Sequence, residues 1–137
     1  MYESRAIGAA AVLLIVRVLT DDELRTLLAL ARDLTLSALV EVHDEGELRR
    51  ALACDAQIIG VNSRDLDSFE VSLDHALRMR AMIPAGRITV AESGIHTADD
   101  VRRVRDAGFD AILVGEALMT ADDPGAKLRE LLRGVHV

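Results

Sequence analysis

Five short apolar runs, each leading into a polar or charged residue, alternate with amphipathic segments along the whole chain. They are Val12 to Val16 before Arg17, Ala38-Leu39-Val40-Glu41, Ile58-Ile59-Gly60-Val61-Asn62, Ile88-Thr89-Val90-Ala91-Glu92-Ser93 and Ile112-Leu113-Val114-Gly115-Glu116. Strands covered on both faces read as near-continuous apolar runs, which is the habit of parallel sheets. The pattern therefore predicts an α/β fold of five β/α units. In such folds ligands gather at the C-terminal ends of the strands, where these polar residues lie.

Helix signals separate the runs. Thr20 to Glu23 has the form of a capping box, followed by Leu24, Leu27, Leu28, Ala31 and Leu34 on one face. Asp44 and Glu47 open a second helix that buries Leu48, Ala51 and Leu52. A third is expected from about Leu73 to Met82, stopped by Pro84 and Gly86. Thr97 caps a fourth, with Asp99 and Asp100 complementing its dipole and Gly108 ending it. Asp123-Pro124 starts the last, with proline at the first helical position. Residues 1–137 read as one domain, with 1–8 the remnant of a preceding helix and so an indication of chain upstream.

Composition narrows the partners. Half the residues are hydrophobic but only 2% are aromatic, so the core is aliphatic. A formal charge of -7, with Lys127 the sole lysine, offers no basic stripe to phosphates, and nucleic acid is excluded. Ala9 to Val16 is too short to span a membrane. The lone Cys54 reads as a small buried filler and suits a reducing compartment, so a cytoplasmic location is expected. His43, His75, His96 and His136 lack ligand spacing, so no metal or other cofactor is expected.

Residue by residue, the strand ends admit two readings. Glu41 is either a surface glutamate or a base whose pKa a dry pocket raises toward the working pH. Asn62 either orients a substrate or builds a turn with Asp65. Arg64 either clamps a carboxylate or pairs with Asp65 or Asp67. Gly94 and Gly115 are turn glycines or let backbone amides approach an anion.

The four motifs Leu39-Val40-Glu41-Val42-His43-Asp44, Ile59 to Leu66, Val90 to Ile95 and Leu113 to Met119 come in an order and spacing that closely resembles indole-3-glycerol-phosphate synthase. The resemblance implies a (β/α)8 TIM barrel, of which this chain is similar to strands four to eight. It also implies ring closure of 1-(2-carboxyphenylamino)-1-deoxyribulose 5-phosphate to indole-3-glycerol phosphate, with loss of CO2 and water. In that reading Glu41 is the general base, with Asn62 and Glu92 completing the catalytic set. Arg64 meets a carboxylate, and Leu113 lines the wall for the aromatic ring. Ser93, Gly94, Gly115, Glu116 and Ala117 surround the phosphate, so the expected ligand is a phosphorylated small molecule or inorganic phosphate.

The chain also departs from the family. Two family lysines belong to the first and third strands, which have no counterpart here, and Lys127 falls on the last helix. Activity of this chain alone is therefore expected to be impaired. Ala10 stands where the family usually has aspartate, and Thr35 and Asp55 stand at joints where it usually has glycine. A TIM barrel typically needs about 250 residues. Five strands leave two open edges, so completion by a homo-oligomer is expected first, or by an N-terminal barrel half. Two alternatives are an open doubly wound, flavodoxin-like sheet and a catalytically inactive self-associating fragment that at most binds phosphate ligands.

Overall fold

The computed structural model describes residues 1–64 and 71–135. Five strands, β1 (Ala11–Ile15), β2 (Ser37–Val42), β3 (Ile58–Asn62), β4 (Ile88–Glu92) and β5 (Ala111–Leu113), form one sheet in sequence order. All four pairings are parallel. A doubly wound sheet reverses its strand order at a switch point. This sheet does not, so the flavodoxin-like alternative is set aside in favour of an open section of a barrel.

The helices follow the sequence signals closely. They are α1 (Tyr2–Ala6), α2 (Asp21–Asp33), α3 (Glu45–Ala53), α4 (Leu73–Arg80), α5 (Ala98–Asp106), α6 (Glu116–Met119) and α7 (Pro124–Leu132). Thr20 and Thr97 form reciprocal capping boxes with Glu23 and Asp100. Asp44 and Asp123 accept from the backbone N–H of Glu47 and Ala126. The third helix stops two residues short of Met82, and the short α6 was not anticipated. α1 buries none of its residues.

Alternation along the strands divides the molecule. Val40, Val42, Ile59, Val61 and Ala91 are fully buried and join Leu24, Leu48, Met79, Val101 and Val104 of the helices in one aliphatic core. On the opposite face Leu13 is 48% exposed, Ile88 51% and Leu113 49%, while Glu41, Val90 and Glu92 are buried. One face of the sheet is thus finished and the other is open in part. Cys54 is buried at the end of α3, as a filler.

Two joints between helix and strand carry side chains in left-handed backbone, Thr35 at φ 53° and Asp55 at φ 60°, where Gly8 and Gly108 adopt 86° and 88°. A Cβ in this region costs on the order of 1 kcal/mol. Thr35→Gly is expected to raise stability by about that amount, read as a higher urea midpoint at unchanged slope. Among the described residues the Thr35 hydroxyl donates to the carbonyl of the adjacent Leu34, a bond local to the turn.

Candidate active site

The strand ends meet around a cavity of about 310 Å³. Its lining includes Glu41, Asn62, Glu92, Ser93, Gly94, Leu113, Gly115, Glu116 and Ala117, so every site residue expected from sequence except Arg64 is gathered there. Leu13 and Leu39 add apolar wall, and His96 a polar rim. Leu113 is therefore wall and not core.

Arg64 lies beside this cavity and forms an ion pair with Glu116, tying the end of β3 to the start of α6. Its expected pairing with Asp65 or Asp67 falls outside the described residues, as does His136. The Asn62 side chain does build a turn, its Oδ1 accepting from the Arg64 backbone N–H at 3.0 Å, while it also lines the cavity. Lys127 pairs with Glu130 on α7, away from the cavity.

Two carboxylates dominate the chemistry. Glu41 and Glu92 are 6% and 3% exposed. Gly60 is the register partner of Glu41 and lies two residue pairs before Glu92, on the same face of the sheet. Lacking a side chain, it leaves room for the Glu92 carboxyl: a Cβ on Gly60 would come within 1.9 Å of Glu92 Oε1. Burial, a hydrogen bond to Glu41 and the charge of Glu41 push the Glu92 carboxyl from its ordinary 4.5 up to about 8. At neutral pH Glu92 holds a proton beside Glu41.

Behind Glu41 stands a polar chain that sequence reasoning missed. His43 is buried, with Nε2 3.2 Å from Glu41 Oε1 and Nδ1 3.0 Å from Glu47 Oε2. Glu47 Oε2 also accepts the His43 backbone N–H at 2.7 Å, and Glu47 Oε1 accepts from Arg17 Nε at 2.9 Å. The spacing of His43, just before α3, and Glu47, in its first turn, was the available signal; the contribution of Arg17, from the 3-10 turn after β1, was not.

The loops after β4 and β5 bring backbone to the wall of the cavity. Ser93 and Gly94 are both left-handed, at φ 63° and 72°. Gly115 precedes α6, whose first amides have no partner within the helix, and a Cβ at Gly115 would meet nothing within 4 Å. Successive amides presented in this way form anion-binding concavities.

The family model for indole-3-glycerol phosphate synthase matches residues 1–131. The chain belongs to the indole-3-glycerol-phosphate synthase family. It is 54% identical over 131 residues to the indole-3-glycerol phosphate synthase of Polaromonas naphthalenivorans, covering 96% of this chain and 50% of the relative. It is 57% identical over 133 residues to that of Roseiflexus castenholzii, covering 96% and 49%. The chain thus spans about half the length of the curated relatives it matches. Among solved structures, 3-hexulose-6-phosphate synthase from Salmonella typhimurium aligns with a TM-score of 0.79 at 18% identity, over 98% of this chain and 66% of that one. Thiamine phosphate pyrophosphorylase from Pyrococcus furiosus aligns at 0.75 with 24% identity, over 96% and 62%. At these identities the two structures speak for the fold alone.

Proposed function

We propose that this chain supplies the base and the phosphate cradle for closure of 1-(2-carboxyphenylamino)-1-deoxyribulose 5-phosphate to indole-3-glycerol phosphate, within a barrel completed by further β/α units. The observation that carries the proposal is the buried Glu41–Glu92 pair at the strand ends, one carboxyl protonated beside the other. A pair held in unlike states offers a base and a hydrogen-bond donor in one site at neutral pH.

In this reading Glu41 takes the proton lost as the ring closes and the hydroxyl leaves. Asn62 and protonated Glu92 orient the sugar chain, and Leu113 with Leu13 and Leu39 receives the aromatic ring. The amides at Gly94, Glu116 and Ala117, with the Ser93 hydroxyl and the freedom of Gly115, hold the phosphate. Arg64, released from Glu116, meets the substrate carboxylate. No cofactor takes part, and neither nucleic acid nor a membrane is a partner. The reaction is placed in the cytoplasm; among the described residues no helix is long and apolar enough to cross a membrane.

Family chemistry uses two lysines from strands this chain does not contain, so turnover by the chain alone is expected to be weak or absent. The exposed Leu13, Ile88 and Leu113 favour a companion across the lumen. A second copy is the first choice, and three further β/α units carrying the lysines are the other. A second functional reading, a self-associating scaffold that at most binds phosphate, rests on the same open face.

The test is ring closure followed by indole fluorescence, with the chain alone and with an added fragment supplying the first three β/α units. Turnover that appears with the fragment and is lost in Glu41→Gln supports the enzyme reading. A folded complex without turnover leaves the scaffold.

A further inference from the structure

The pair Glu41 and Glu92 is chemically symmetric, yet a base is needed at one of them, and the groups around the pair are not symmetric. Glu47 is saturated on both oxygens: Oε1 accepts from Arg17 Nε, and Oε2 accepts from the His43 backbone N–H and faces Nδ1. An ionised carboxylate can only accept, so Nδ1 must donate to it. This fixes the ring plane and leaves Nε2 toward Glu41 Oε1 at 3.2 Å. Nε2 is buried and, among the described residues, has no aligned hydrogen-bond partner, so Glu41 is the group it can serve. With protons on both nitrogens both contacts attract. With Nε2 bare, a lone pair faces an ionised Glu41.

The other polar groups around His43 fit the same picture. Asp44, at the start of α3, lies 3.9 Å from Arg17 Nη2. His75, from α4, places Nε2 2.7 Å from the His43 carbonyl and so steadies the backbone there. On β4 Glu92 stands beyond Glu41, with its Oε1 buried and, among the described residues, unpartnered. Among the described residues the positive charge of this chain of contacts reaches the pair from the Glu41 side.

We propose that His43, held by Glu47 and Arg17, is the positioning residue that keeps Glu41 ionised and leaves the shared proton on Glu92, an assignment that rests on the function proposed above. Glu41 is then the base because of its neighbour behind the strand and not because of its own exposure.

The experiment is a carboxyl titration of this chain by carbon NMR with labelled glutamate, together with nitrogen NMR of the histidine rings. In the parent, Glu41 is expected to keep a carboxylate signal at neutral pH while Glu92 carries the proton, with both His43 nitrogens protonated. In His43→Gln the proton is expected to spread over both carboxyls. The Glu41 and Glu92 carboxyl signals at neutral pH should therefore move toward one another. Glu47→Gln, which retains the ring, should give a smaller change of the same sign and covers the case of a His43→Gln chain that does not fold. Unchanged Glu41 and Glu92 titrations in either folded variant, or a bare Nε2 in the parent, would overturn the assignment. The titration needs no turnover, so a failure of ring closure and a failure of the His43 role are separate results.

Discussion

Gly60→Ala is expected to cost about 1 kcal/mol of stability, the low end for overpacking, because the side chain it strikes borders a cavity. In a barrel that turns over, it is also expected to lower the ring-closing rate at least about a hundredfold, the scale of a misplacement near 1 Å. The added methyl would lie within 1.9 Å of Glu92 Oε1 and 2.9 Å of its Cδ, so the carboxyl must leave its place. The third neighbour, Leu39 Cδ1 at 3.2 Å, is the end of a flexible side chain and can give way. Glu92 is also struck at the far end of its side chain and can turn into the cavity it lines, but only by giving up its place beside Glu41. A double-mutant cycle decides the cause. In a Glu92→Ala background the same Gly60→Ala change should cost almost nothing, since the atom it strikes is gone. A full penalty in that background would show that β3 needs glycine for another reason.

How much of this could be read from the residues depended on how far each feature reached along the chain. The strands, their polar ends and the capping residues of the helices are local, and they lie where the apolar runs and the Thr20, Asp44, Thr97 and Asp123 signals placed them. The left-handed joints at Thr35 and Asp55 were legible as departures from glycine, whereas Ser93, also left-handed, carried no such signal. Strand order was not legible from the alternation alone, and the barrel order that the structure bears out was expected only from the resemblance. Alternating β/α units are compatible with a singly wound or a doubly wound sheet, and the choice rests on which side each connection crosses. The cavity residues were found because each ends a strand. His43 and Glu47 were missed because their role depends on Arg17, 30 residues before Glu47 and on another element. The space left by Gly60 was missed because it is filled by a side chain from the neighbouring strand.

Raising the pH from about 4.5 to about 8 is expected to weaken the fold through Glu92, and Glu92→Gln is expected to remove that slope. Burial, reinforced by the hydrogen bond and charge of Glu41, lifts the folded carboxyl above its ordinary value. Between the two values the unfolded chain has released this proton and the folded chain has kept it. The folded state then binds more protons, and stability falls as pH rises. Below about 4.5 both states are protonated and above about 8 both are ionised, so the contribution is level outside the window. Asp110 works in the opposite sense on the acid side. The backbone N–H and then the hydroxyl of Thr89, each 2.8 Å from its Oδ2, hold its carboxyl below the ordinary 3.8, and that stabilisation is lost as pH falls through the folded value. The two together place the stability maximum in mildly acidic solution. Urea midpoints measured at several pH values should decline toward the alkaline side in the parent. In Glu92→Gln they should stay level, leaving the variant more stable at alkaline pH by about 2 kcal/mol. That is roughly half of what the displacement represents at 1.36 kcal/mol per pH unit, since the proton is shared with Glu41. A variant that declined in parallel with the parent would move the buried proton to another group, and with it the reason for regarding Glu41 as the ionised member of the pair.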